Sequence, residues 1–187
     1  MPVKEIEVLE KGQYDRFVNA YMIGMSSERK IVLYDNLVNN YSHNQILAVL
    51  AHEMGHYEEE HMAIGLTLGA LSLLIVLPLL KLLTRKIFEI DIKDLANPVN
   101  HGIFILIISV LMFIANPIEN SISRYIEKRA DEYALDLTKD SETVIEMKRK
   151  MAKDNKSHLM QHPVYVWFYH SHPTTLERIR MAEKFKR

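Results

Sequence analysis

His52 and His56 stand four residues apart, with Glu53 beside the first, in the segment Ala51-His52-Glu53-Met54-Gly55-His56. On a helix, positions i and i+4 lie one above the other, so two imidazoles at this HExxH spacing can reach one zinc ion. Glu53 then projects beside them toward the ion's open position. Zinc lowers the pKa of a bound water from about 15.7 to roughly 7, and an adjacent carboxylate can take its proton and direct the oxygen at a carbonyl carbon. The chemistry expected is metal-assisted hydrolysis, with Glu53 as general base.

Two imidazoles need a third ligand. Ser123 to Ala134 reads as a helix with Glu127 and Asp131 one turn apart on one face. Glu127 is the expected third ligand, and Asp131 is placed to accept a hydrogen bond from the distal nitrogen of a ligand histidine. His61 is the rival, but five residues after His56 it would point away from the shared face. The metzincin pattern fails as well, because it wants glycine at 59 and histidine at 62, where this chain has Glu59 and Met62. His158 and His162 repeat the i, i+4 spacing, but Pro163 follows and no carboxylate is near, so no second metal site is expected.

The elements that must position these groups are signalled separately. Ser42-x-x-Gln45 is a capping box ahead of the apolar run Ile46 to Ala51, so a helix starts there and the histidines fall in its interior. Upstream, Val3-x-x-Ile6-x-Val8, Asn19 to Gly24 and Ile31 to Tyr34 read as three short strands, with turns at Gly12 and Ser26-Ser27-Glu28. Such a sheet is too small to stand alone and should pack on the histidine helix.

After Glu58-Glu59-Glu60 the chain turns apolar from Met62 to Leu83, long enough to cross a hydrocarbon core of roughly 30 Å. A second, shorter apolar run, Ile103 to Ile118, is expected to break near Asn116-Pro117. Residues 62–118 are therefore expected to form a membrane helical hairpin inserted into a single catalytic domain over 1–187. The hairpin returns the chain to the side of His52 and His56. Lys and Arg are evenly placed: Arg85, Lys86 and Lys93 lie in the connector, and Arg124, Lys128 and Arg129 beyond the second run. The positive-inside rule is thus neutral, and the catalytic side is expected to be cytoplasmic.

Toward the C-terminus, Lys148-Arg149-Lys150 reads as a solvated helix face. Val164 to Tyr169 is an aromatic run suited to core or membrane-interface packing. Thr174-x-x-Glu177 is another capping box.

Composition narrows the classes. The 187 residues carry 23 basic and 24 acidic side chains, which gives no electrostatic case for nucleic acid. With no cysteine and nine histidines, a metal must be held by His, Asp or Glu. No charged segment followed by an apolar core and a cleavage site opens the chain, so no secretory signal peptide is expected. Oligomeric state leaves no mark on the sequence. Two other classes use the same features: a non-catalytic zinc-stabilised membrane scaffold, which would close its site with four ligands, and a soluble helical protein whose apolar hairpin is an oligomer interface.

With these residues assembled, the chain resembles the integral-membrane zinc peptidases that include the type I CAAX prenyl endopeptidases and the HtpX heat-shock proteases. The likeness runs through Asn19-Ala20-Tyr21, Arg29 to Asp35, Ala48 to His56, Ser123-Arg124-x-x-Glu127-x-x-Ala130-Asp131-x-x-Ala134 and His170-Ser171-His172-Pro173-x-x-x-Glu177-Arg178. It implies a gluzincin fold, mainly α with some β: a zinc-peptidase helical core, a small antiparallel sheet and the transmembrane hairpin. It implies one zinc on His52, His56 and Glu127, Glu53 as general base and then proton donor, and Asp131 orienting a ligand. It also implies that Asn19-Ala20-Tyr21 pairs with an extended peptide or protein substrate, that His172 donates to the oxyanion with Arg178 in support, and that membrane lipid surrounds the hairpin. The CAAX branch carries further spanning helices before this region, whereas the present sequence opens almost at the first strand.

Overall fold

The computed structural model describes residues 4–12, 14, 17–24, 29–158 and 160–185. Val3 of the first expected strand and the Ser26-Ser27-Glu28 turn lie outside them. Three strands, β1 (Glu5–Leu9), β2 (Ala20–Ile23) and β3 (Lys30–Tyr34), form one sheet in the order β1-β3-β2. The small sheet is present as expected, but it is mixed. β2 pairs antiparallel with β3, Tyr21 opposite Val32, whereas β1 runs parallel to β3, Ile6 opposite Ile31. β1 and β3 are separated in sequence by β2, so no tight hairpin forces them to run antiparallel. β2 is left at the edge.

The helices follow as α1 (Asp35–Asn40), α2 (His43–Glu58), α3 (His61–Ile87), α4 (His101–Thr138), α5 (Ser141–Asp154), α6 (Pro163–Tyr169) and α7 (Thr175–Phe185). Both capping boxes form. Ser42 Oγ accepts from the Gln45 N–H at 3.3 Å while the Gln45 side chain accepts from the Ser42 N–H at 3.1 Å. Thr174 and Glu177 exchange the equivalent pair of bonds ahead of α7.

One core joins the sheet to α2, α4, α5 and α7. Ile31 and Leu33 meet Ala48 and Val49 of α2, Leu135 of α4, Val144 and Met147 of α5, and Ala182 of α7. α2 and α4 pack tightly at Gly55, where an added Cβ would lie 2.9 Å from the Cα of Ala130. That contact brings the histidine helix against the helix carrying Glu127.

α3 and α4 are long and apolar enough to cross a membrane. At 27 residues α3 measures about 40 Å. Of its residues only His61, Leu80 and Thr84 are buried, so its leucines and isoleucines face outward along most of its length. A smaller apolar cluster, Leu80, Leu95 and Ile107, ties α3 and its connector to α4.

The expected break at Asn116-Pro117 does not occur. Pro117 sits inside α4, which runs unbroken from the apolar stretch through Glu127. Proline in a helix interior forfeits one backbone bond, a loss that packing can offset; Pro117 is buried, and its own carbonyl accepts from Ser121 Oγ. A single rod therefore carries the apolar segment and the acidic site residues.

Candidate metal centre

The turn between α2 and α3 is tight, with Glu60 in a left-handed conformation, φ 52°. Glu59 in that turn binds Arg129 of α4 at 2.6 Å, pinning the corner of the hairpin to the helix with Glu127. Above this corner His52 and His56 of α2 turn their Nε2 atoms to within 3.2 Å of each other. Glu127 reaches across from α4, its Oε2 3.3 Å from His52 Nε2 and its Oε1 3.4 Å from His56 Nε2.

These separations can be compared with what a metal requires. Four ligands placed tetrahedrally at about 2.05 Å from zinc stand about 3.3 Å apart. The two Nε2 atoms match that spacing at 3.2 Å, each meets one of the two Glu127 oxygens at 3.3 or 3.4 Å, and one ligand atom from each residue lies within 4.8 Å of the others, close enough to surround one ion. Glu127 Oε2 is also buried with no hydrogen-bond partner, the condition of a ligand atom reserved for something else. Among the described residues, His52, His56 and Glu127 are the group of side chains that could hold a metal ion. His158 and His162 do not join such a group.

The distal nitrogens of both histidines face polar partners. His52 Nδ1 lies 3.0 Å from Asp131 Oδ1. Asp131 thus stands directly behind the His52 ring, although the two make no hydrogen bond. His56 Nδ1 lies 3.0 Å from His61 Nδ1. His61 thus stays off the Nε2 face, as its spacing predicts, yet it meets the back of the His56 ring. Such contacts fix ring orientation and ligand basicity.

Asp131 is nearly fully buried and takes two bonds of 2.5 Å from Arg178, from Nε and Nη2, in a two-pronged pair. Lys148 approaches the same carboxylate at 3.4 Å with its side chain only 11% exposed. The solvated face expected at 148 is overturned there. α5 buries Val144 and Met147, and Lys148, one turn beyond Val144, points inward with them. The signal was the 3.6-residue period of α5, outweighed by the three consecutive cations. Burial, with Arg178 alongside, brings the Lys148 pKa from 10.5 down to about 8.

A cleft of about 1210 Å³ opens over this cluster. Glu53 lines it, and burial raises its carboxyl above the ordinary carboxylate range. His172, in the turn after α6, lines it too, with Nε2 3.4 Å from Glu127 Oε1. Burial lowers the His172 pKa. The opposite wall includes Asn19, Ala20 and Tyr21 at the start of β2. Asn19 turns its carbonyl to the Tyr34 N–H of β3, so by alternation Ala20 and Met22 present theirs to the open edge. All ten sequence-predicted site residues thus lie in the cleft or directly beneath it.

The chain is similar to known proteins. The model of peptidase family M48 matches residues 4–186. A Bacillus subtilis protein described as the uncharacterized metalloprotease YhfN is 31% identical over 192 residues, covering 98% of this chain and 44% of the relative. CAAX prenyl protease 1 of Saccharomyces cerevisiae is 29% identical over 200 residues, covering 95% and 43%. The crystal structure of S. mikatae Ste24p superposes with a TM-score of 0.84 at 25% identity, over 98% of this chain and 47% of that one. The chain spans less than half the length of these relatives.

Proposed function

This chain belongs to peptidase family M48, and from that premise we propose that it is a zinc-dependent membrane endopeptidase. His52, His56 and Glu127 would hold one zinc, which supplies Lewis acidity to water and to the scissile carbonyl. The observation that carries this reading is the convergence of His52 and His56 on α2 with Glu127 on α4, two helices far apart in sequence: the Nε2 atoms stand 3.2 Å apart, and each has one oxygen of the Glu127 carboxylate at 3.3 or 3.4 Å. Three protein ligands leave a tetrahedral ion one open position, the arrangement of a catalytic rather than a structural site.

Glu53 takes the proton of the attacking water and passes it to the leaving amine. Its raised pKa makes it the stronger base for the first step and a competent acid for the second. His172 donates to the oxyanion that develops on the substrate carbonyl. Arg178 holds Asp131, which places its carboxylate 3.0 Å behind the Nδ1 of the His52 ring, the position from which it orients that ligand. The peptide adds as an extended strand to the open edge of β2 at Asn19-Ala20-Tyr21. Residues 62–118 act as the membrane hairpin of a single catalytic domain, and the site faces the cytoplasm.

The test is cleavage of an unfolded protein, and of a farnesylated peptide ending in CAAX, by the detergent-purified chain. Activity should vanish with a zinc chelator and return with zinc. Glu53→Gln should keep zinc and lose nearly all hydrolysis. A Glu53→Gln protein that cleaves as fast as its parent sinks the mechanism.

A further inference from the structure

α6 is a seven-residue helix without a single buried residue, so core packing does not fix it. The His170 N–H caps the Val166 carbonyl, and the carbonyls after it lie beyond the helix's own bonding pattern. α4 supplies partners from three side chains spaced four residues apart on one face. Asn116 Nδ2 and Asn120 Nδ2 each donate to the Phe168 carbonyl at 2.5 Å. Arg124 Nη1 donates to the carbonyls of Val166 at 3.2 Å, Trp167 at 3.3 Å and His170 at 2.5 Å. Arg124 Nη2 is steadied by Ser121 Oγ at 2.8 Å, and the Phe113 and Phe168 rings meet at 4.7 Å, tilted by 48°.

Both ends of this clamp lead into the metal centre. On α4, Arg124 is one turn before Glu127. Beyond the clamped carbonyls, His170 is two residues before His172, whose Nε2 stands 3.4 Å from Glu127 Oε1. The His172 side chain is itself 59% exposed, so its place depends on what holds the turn beneath it. We propose that Asn116, Asn120 and Arg124 are positioning residues: by tying the end of α6 to α4 they set where the His172 imidazole stands relative to the metal ligands. This rests on the reading of His172 as the oxyanion donor. A guanidinium suits the task because its two terminal nitrogens divide the work: Nη1 faces the three carbonyls while Nη2 is held by Ser121 Oγ, which fixes the plane of the group. Asn120 is buried, so losing its bond strands polar groups away from water.

The experiment is a double-mutant cycle between Arg124→Ala and His172→Ala in the full chain, zinc-loaded in detergent, with kcat, KM and zinc content measured on an unfolded-protein substrate. His172→Ala should lose about 10² to 10³ in kcat, the usual cost of an oxyanion donor. Arg124→Ala should lose on the order of 10- to 100-fold in kcat, with KM and zinc content at parental values. Arg124→Lys, which keeps the charge without the fork, should fall between. The double variant should be no slower than His172→Ala alone, because the clamp acts through that imidazole. If Arg124→Ala slows the His172→Ala background by its full factor, sheds zinc or leaves kcat untouched, the positioning role is overturned. His172→Ala with parental kcat overturns the oxyanion reading instead, a separate outcome. Should Arg124→Ala fail to fold, Asn120→Asp, whose carboxylate repels the Phe168 carbonyl, enters the same cycle.

Discussion

Gly55→Ala should damage the metal centre without touching a ligand. A Cβ at this position would stand 2.9 Å from Ala130 Cα, 3.0 Å from the Ala130 carbonyl oxygen and 3.1 Å from Tyr133 Cβ. Carbon atoms in contact prefer about 3.5 to 4.0 Å, so α2 and α4 would have to part by roughly 0.6 to 1 Å. The two nearest obstacles are backbone and cannot rotate aside. Glu127 sits one turn before Ala130 and His56 is the next residue after Gly55, so the displacement falls directly on the ligand set. Metal sites tolerate about 0.2 Å in ligand distance, and the opening exceeds that several-fold. Overpacking costs about 1–3 kcal/mol, offset by about 0.5–1 kcal/mol because alanine is the better helix former. The net expectation is a loss of up to roughly 2.5 kcal/mol together with at least about a tenfold loss of zinc affinity. The assay is zinc titration and thermal unfolding in detergent, with and without chelator. Ala130→Gly in the same chain should not rescue it, because the clash is with Cα and carbonyl rather than with the alanine methyl. Parental zinc affinity and Tm in Gly55→Ala would refute the close-crossing argument.

Asp131→Ala should lower zinc affinity or activity by about 10- to 100-fold, because His52 loses the group behind its ring and Arg178 is left as a buried cation; a variant within twofold of parent in both would contradict that. Lys148 makes a pH prediction. Its folded pKa is lowered to about 8 from 10.5, so between those values the unfolded chain binds more protons and stability rises with pH, by up to about 1.4 kcal/mol per unit. Tm of the metal-free parent should therefore climb over that window relative to Lys148→Met, and parallel Tm curves would refute it. Since the chain has no cysteine, membrane sidedness can be read from single introduced cysteines. Glu177→Cys should react only with reagents on the cytoplasmic side and Lys93→Cys only from the opposite side; the reverse pattern would invert the orientation.

How much of this was legible in the residues depends on how local each signal is. The capping box at Ser42 and Gln45 and the i, i+4 histidines are patterns within one helix, and each takes the expected geometry; Glu127 and Asp131 share a face of α4, but Asp131 stands behind the His52 ring without the expected hydrogen bond. Pairing Glu127 with the histidines is a long-range step that composition and periodicity do not carry; the need for a third ligand and the returning hairpin did. Features set by tertiary contact alone were misread or unseen. Lys148 looks solvated beside Arg149 and Lys150, yet α5 turns it onto Asp131. Pro117 looks like a stop, yet it stays helical within a buried contact. β1 pairs with β3 rather than with its sequence neighbour β2, a long-range choice of partner and direction that no pattern within a strand encodes. Asn116, Asn120 and Arg124 do share a four-residue spacing, but their acceptors are backbone carbonyls of another helix, silent in any sequence.

The central claim is that His52, His56 and Glu127 meet at one zinc ion. Zinc X-ray absorption on the purified chain in detergent, paired with elemental analysis of Glu127→Ala, tests it most directly. The prediction is one zinc per chain with two imidazole nitrogens at about 2.0–2.1 Å, oxygen in the remaining shell, and zinc lost or greatly weakened in Glu127→Ala. A Glu127→Ala protein that keeps zinc in an unchanged shell would contradict it.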